Sequence, residues 1–199
     1  MSPRLDVSEE RKEQILDAAS KVFTHKGFAA SRMDDIAEQT GLSKGTLYLY
    51  FKSKDDVITG ILDRIFLGTL KEMAQHDPEI SAKEAIEHFT EVAIQDYKKM
   101  LHMMPIAYEF LALAFRNKTV QKALKQYLNR YMDALIPTIE RGIASGEFRQ
   151  VDAQEVAITA GAIFEGTVLL WVYDKNRVNV ETSIRAGIKL LFEGILAPA

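Results

Sequence analysis

The chain has 199 residues, 47% of them apolar and 27% charged, with a net charge of −3 and a pI near 5.9. That is enough apolar material for one or two domains with a sizeable core, and too much for a disordered chain. The absence of cysteine excludes disulfides, thiol catalysis and cysteine-ligated metal, and the acidic balance excludes a globally basic nucleic-acid binder, so any contact with DNA must be local.

The opening residues, MSPRLDVSEERKEQ, contain no apolar run of signal-peptide type. The longest apolar stretch, AITAGAIFEGTVLLWVY, carries Glu165 in its middle and is short for a membrane span. A cytoplasmic protein without a membrane partner is expected. Ser8 precedes a first helix in which Ile15, Leu16, Ala19, Val22 and Phe23 recur at helical spacing, with Gly27 as its stop. Ser31 precedes RMDDIAEQT, closed by Gly41, and Ser43 precedes KGTLYLYF. Ser53 precedes a longer helix whose Asp55 and Asp56 complement the positive helix N-terminus. Ser81 and Glu84 form a capping box for a helix to about Met100. Pro105 marks a break before the short apolar helix IAYEFLALAF, and residues 119–145 read as one helix bent at Pro137. Asp152 and Glu155 open a helix to about Tyr173, and a last one runs from about Glu181 to Leu196. No strand emerges. The expected fold is all-α, with about nine helices.

Residues 41–45, GLSKG, match the G-x-S-x-G pattern of a hydrolase nucleophile elbow. That elbow needs a strand before the serine, because a sharp strand-to-helix turn is what exposes the hydroxyl. Here the preceding segment, MDDIAEQT, is helical, so the match is coincidental. A helix-turn-helix needs two helices joined by a tight glycine turn, and all three parts are present. Leu47 and Phe51 lie one turn apart and can bury together. Lys44, Gly45, Tyr48 and Lys52 then lie nearer the opposite face, and within 41–54 the only charges are Lys44, Lys52 and Lys54. Ser31 and Ser43 at helix N-termini and Lys54 suit phosphate contacts, and Tyr48 and Tyr50 can donate to phosphates or pack on thymine methyls.

The segment GFAASRMDDIAEQTGLSKGTLYLYFKSKDDV resembles the DNA-binding signature of the TetR family of bacterial transcriptional regulators, over about residues 8–60. The resemblance implies a helix-turn-helix DNA-binding domain at 1–52 and a helical ligand-binding and dimerisation domain at 53–199. It implies a homodimer that binds a palindromic operator on double-stranded DNA, usually as a repressor, and is released by a small-molecule effector. Carried onto this sequence, the DNA contacts are Ser31, Ser43, Lys44, Gly45, Thr46, Tyr48, Tyr50 and Lys54. Arg32 departs from the family pattern and adds a possible contact of its own.

The C-terminal part offers a partner surface and a pocket. Small residues inside its last two long helices, including Gly161, Gly166 and Gly187, suggest close helix–helix approach, since glycine costs about 1 kcal/mol against alanine in a helix. With neighbours such as Leu169, Val172 and Leu191 they make a candidate dimer interface. Candidate pocket residues are Phe89, Tyr97, Met100, His102, Met103, Met104, Tyr108, Phe110, Phe115, Tyr127, Tyr131 and Phe164, a set of aromatics and methionines that suits an adaptable apolar site. Glu109 and Glu165 each lie in an apolar helix and need a partner, which a cationic ligand or a basic side chain could supply. The four histidines lack metal-ligand spacing and no phosphate loop is present, so neither metal nor cofactor is expected, and no enzyme. Two other readings stay open: a helical small-molecule carrier with vestigial DNA binding, and a serine hydrolase using Ser43.

Overall fold

The structure, a computed structural model, describes residues 3–73, 80–100 and 103–196. Among these residues it is all-α. The helices are α1 (Pro3–Lys26), α2 (Met33–Thr40), α3 (Lys44–Tyr50), α4 (Lys54–Met73), α5 (Ala82–Met100), α6 (Met104–Ala114), α7 (Lys118–Ser145), α8 (Ala153–Tyr173) and α9 (Val180–Glu193). The only extended pairing among the described residues is an isolated antiparallel bridge between Phe148 and Leu196.

Local chemistry sets most of the helix ends. Gly41 closes α2 with φ 69°, a left-handed conformation that costs glycine nothing, and its N–H returns to the α2 carbonyls. The Ser43 hydroxyl accepts the Thr46 N–H at the start of α3, and Asp152 accepts two N–H groups at the start of α8. Ser81 and Glu84 make the reciprocal capping bonds expected of them. Two starts differ from expectation. α1 begins at Pro3, so Ser8 is an internal residue; proline is well suited to a first helical turn. α2 is capped at Arg32, whose N–H donates to Asp35, while the Ser31 hydroxyl donates back to the Gly27 carbonyl.

The chain forms two compact units, Met1–Leu67 with Met100–Tyr127, and Gly68–Lys99 with Leu128–Ala199. In the first, Phe23, Phe28 and Phe110 pack edge to face, with centroids 5.4 to 6.3 Å apart. The helix-turn-helix rests on this core through Ile36, Ala37, Leu47 and Phe51, all buried. In the second unit, Phe148 is fully buried against Phe192 and over Gly142, where an added Cβ would stand 2.3 Å from the Phe148 ring. Gly187 of α9 admits Ile163 of α8 in the same way, with Cγ2 only 2.6 Å from the position a Cβ would take. By length and composition α8 is apolar enough to cross a membrane. Of its exposed apolar side chains, which include Leu170 and Tyr173, Ile158, Leu169 and Val172 recur at helical spacing along one stripe.

Candidate nucleic-acid interface

The seven residues of α3 are set in rotation by two anchors. Leu47 is fully buried and Phe51, its C-cap, nearly so. Turning these two inward turns Gly45 and Leu49 outward with Tyr48 beside them, and Lys44 is exposed as the first residue of the helix. Thr46 and Tyr50 are half-buried at the flanks. Lys52 is exposed, and its ammonium caps α3 by donating to the Tyr48 carbonyl at 2.8 Å. Lys44 is exposed and paired with Asp34 of α2 at 2.7 Å. Such a surface pair is weak, and a phosphate can replace Asp34 as the partner. Arg32, at the head of α2, is exposed. Ser43, Lys44, Gly45, Tyr48 and Arg32 therefore lie on accessible surface around one helix-turn-helix.

Ser31 and Lys54 are placed differently. Ser31 is only 2% exposed, and its hydroxyl is spent on Gly27. The Lys54 ammonium donates to the carbonyls of Phe28 and Ser31, at 2.5 and 2.6 Å, and sits 4.2 Å above the Phe28 ring. Burial there pushes its pKa down. Both side chains bond to the turn between α1 and α2, Ser31 from a buried position and Lys54 from a half-buried one. Helix-terminal position and the family pattern suggest phosphate contacts at both, but neither carries a sign of these inward bonds to the turn.

The same turn explains Glu109. Its Oε1 accepts the Phe28 N–H at 2.7 Å, so the carboxylate in the apolar helix α6 has a backbone partner. The Phe28 backbone is thus held on both sides, its N–H by Glu109 and its C=O by Lys54.

The other pocket candidates divide between the units. Met104, Tyr108 and Tyr127 belong with the helix-turn-helix; Phe89, Tyr97, Phe164 and Glu165 belong to the second unit. There Tyr97 packs edge-on to Phe164 and to Trp171, and Phe89 lies against Tyr131. Tyr131 donates to the Ala157 carbonyl and covers Gly161. Surrounding protein pushes the Glu165 carboxyl up, although part of its surface stays accessible. The side chain of Met100, and His102, lie outside the described residues. Of the candidate interface positions, Gly161 and Gly187 are used within the subunit, by Tyr131 and Ile163. Gly166 faces nothing within 4 Å, Leu169 and Val172 are exposed, and Leu191 is half-buried.

No strand precedes Ser43 and its hydroxyl is bonded to Thr46, so the elbow reading is set aside. The sequence reading missed Leu49, the most exposed residue of α3's apolar set at 76%.

Known proteins share this arrangement. Residues 15–61 match the bacterial regulatory proteins of the tetR family, and residues 82–191 match the C-terminal region of BetI-type transcriptional repressors. The fatty acid metabolism regulator protein of Bacillus subtilis (strain 168) is 28% identical over 188 residues, covering 92% of this chain and 94% of that one. The HTH-type transcriptional repressor KstR2 of Rhodococcus jostii (strain RHA1) is 24% identical over 193 residues, covering 94% of this chain and 92% of that one. Among solved structures, the transcriptional regulator FadR from Bacillus subtilis in complex with stearoyl-CoA has a TM-score of 0.75 at 26% identity, covering 92% of this chain and 98% of that one. A transcriptional regulator from Saccharomonospora viridis in complex with choline shares the fold, with a TM-score of 0.72 at 20% identity and coverage of 96% and 100%. With an outward-facing recognition helix at one end and a matching helical domain over more than half its length, the chain is a transcriptional regulator and not an enzyme, and it belongs to the TetR family.

Proposed function

We propose that this regulator is a cytoplasmic repressor that binds a palindromic operator as a homodimer and leaves it when a small amphipathic effector binds. The observation that carries the reading is the exposed face of α3, bearing Lys44, Gly45 and Tyr48 with Arg32 beside it. Residues 1–52 would supply the reading head, with Ser43, Thr46 and Tyr50 assisting at its margins, and residues 53–199 the effector and dimer functions. The open apolar stripe of α8 supports pairing with a second copy, which would also cover the surface that makes this helix membrane-like in composition. Effector binding would favour a dimer geometry in which two recognition helices no longer fit two half-sites at once.

Among amphipathic effectors, long-chain acyl-CoA thioesters come first. The Bacillus subtilis relative is named a regulator of fatty acid metabolism, and the FadR structure holds stearoyl-CoA. Selection of bound duplexes from a random pool, at two salt concentrations, tests the DNA reading. It should enrich a palindrome whose affinity falls steeply with salt. Titrating stearoyl-CoA into that complex tests the effector class. Failure to enrich any sequence at low salt would overturn the first proposal; a complex indifferent to stearoyl-CoA would overturn the second alone.

A further inference from the structure

We infer that Leu49 is a sequence-reading residue of the recognition helix, seating against the 5-methyl group of a thymine in the major groove. The inference rests on the DNA reading above and adds to it the base chemistry recognised.

A single exposed leucine on a protein surface needs no explanation. Leu49 differs because of where it lies. It is 76% exposed on a helix whose rotation is fixed by the buried Leu47 and Phe51. It follows Gly45 by one turn, so the two share a face. Nothing inside the protein calls for glycine at 45: an added Cβ would meet no atom nearer than the Ser43 Oγ, at 3.9 Å. A glycine within a helix costs about 1 kcal/mol against alanine, so an advantage outside the subunit is the natural explanation. The centre of the outward face is therefore one residue without a side chain and one large apolar residue. Tyr48 lies beside them, and Lys44 and Lys52 flank them with positive charge. No acidic residue occurs between Gly41 and Lys54.

This pattern has a specific chemical complement. Gly45 lets the helix backbone come close to the duplex, and Leu49 then reaches the base edges. Leucine can neither donate nor accept a hydrogen bond, so it gains nothing from the polar edges of adenine, guanine or cytosine. Thymine alone of the four bases presents a methyl group in the major groove. Lys44 and Lys52 can hold the register through phosphates, which carry no sequence information themselves.

Deoxyuridine tests this directly, because it lacks only the 5-methyl group and keeps the hydrogen-bonding edges of thymine. Each thymine of the selected duplex is replaced in turn, in both half-sites, and binding is measured for the wild-type protein and for Leu49→Ala. Leu49 supports no core, so the variant should keep the wild-type melting curve. For wild type, one thymine position per half-site should be sensitive. Loss of one buried methyl predicts about fourfold weaker binding per half-site and about fifteenfold for both. Leu49→Ala should bind the thymine and uracil duplexes alike. Wild-type binding indifferent to uracil at every position would overturn the inference while leaving DNA binding intact. Full thymine preference in Leu49→Ala would overturn it as well. Failure of wild type to bind any duplex would overturn the DNA reading itself, and this inference with it.

Discussion

Gly45 and the Phe28 peptide show two opposite uses of single residues in the reading head. At Gly45 the subunit has room for a side chain and does without one. Gly45→Ala should therefore raise unfolding stability, by up to about 1 kcal/mol, from helix propensity alone. The same methyl would hold α3 away from the duplex, so operator affinity should fall. Denaturant unfolding and a binding titration on one preparation would check both. A variant that gained stability with no loss of affinity would show that the duplex does not approach here. At Phe28 the opposite holds, because its N–H and C=O are both occupied by charged side chains. Glu109→Ala would leave that N–H without its acceptor, at a cost of about 1–3 kcal/mol. Glu109→Gln keeps an acceptor and should lose less. Lys54→Ala should destabilise too, because the ammonium serves two carbonyls. A lower urea midpoint at unchanged slope would be the sign in each case. Weaker DNA binding by Lys54→Ala would then need correction for folding before any phosphate contact is assigned.

At the scale of elements, much was legible because much is local. A serine or aspartate one residue ahead of a helix, a glycine just past its end, and apolar residues one turn apart act within a few residues of chain. They fixed α3, α8 and the α2–α3 turn. What was not legible depends on residues far apart in sequence. Glu109 visibly needed a partner, but the partner lies 81 residues away. Ser31 and Lys54 sit in a motif whose pattern suggests exposure, yet Ser31 is buried and Lys54 is half-buried against the α1–α2 turn. Leu49 looks like core beside Leu47, and only the rotational setting of the folded helix separates them. Gly187 did signal close approach, here to Ile163 of the same chain, whereas at Gly161 an added Cβ would make only ordinary contact with Tyr131.

One contact between elements makes a prediction in pH. Arg185 of α9 grips both oxygens of Glu91 on α5, at 2.6 and 2.5 Å, and also bonds Glu181, which Lys98 of α5 joins. The Lys98 and Arg185 side chains lower the Glu181 carboxyl from an ordinary 4.5 to about 2, and Arg185 lowers Glu91 in the same direction. Carboxyls depressed in the folded state bind fewer protons there than in the unfolded chain. Their contribution is therefore complete above the ordinary value and is lost as pH falls from about 4.5 towards 2. Lys98 is exposed and the other three groups are only half-buried, so the effect is small and screened by salt. The melting temperature should fall across that window, and the fall should be shallower in Arg185→Met. Identical slopes for the two proteins would mean that the network adds nothing to stability.

At the scale of the molecule, the proposed pairing through the open stripe on α8 would set whether one reading head or two meet the DNA. Ile158, Leu169 and Val172 face outward from the second unit, and Leu190 of α9 is 71% exposed. Exposed apolar side chains gathered on one face are the surface we propose a second copy covers. In a two-fold pair each of these residues meets the symmetry-related patch, so one substitution is introduced twice. Leu169→Glu would place two carboxylates in a desolvated apolar seam, and the dimer dissociation constant should rise at least about a hundredfold. Within the subunit the change falls on an exposed position, so the monomer should still fold. Sedimentation would show a monomer, and far-UV ellipticity would stay as helical as in wild type. Operator binding should then weaken far more than the substitution's distance from α3 suggests, because two half-sites would no longer be engaged by one particle. Binding to a single half-site should be unchanged. A dimeric Leu169→Glu protein would place the pairing surface elsewhere. A monomeric variant that held the palindrome as tightly as wild type would separate DNA recognition from dimerisation altogether.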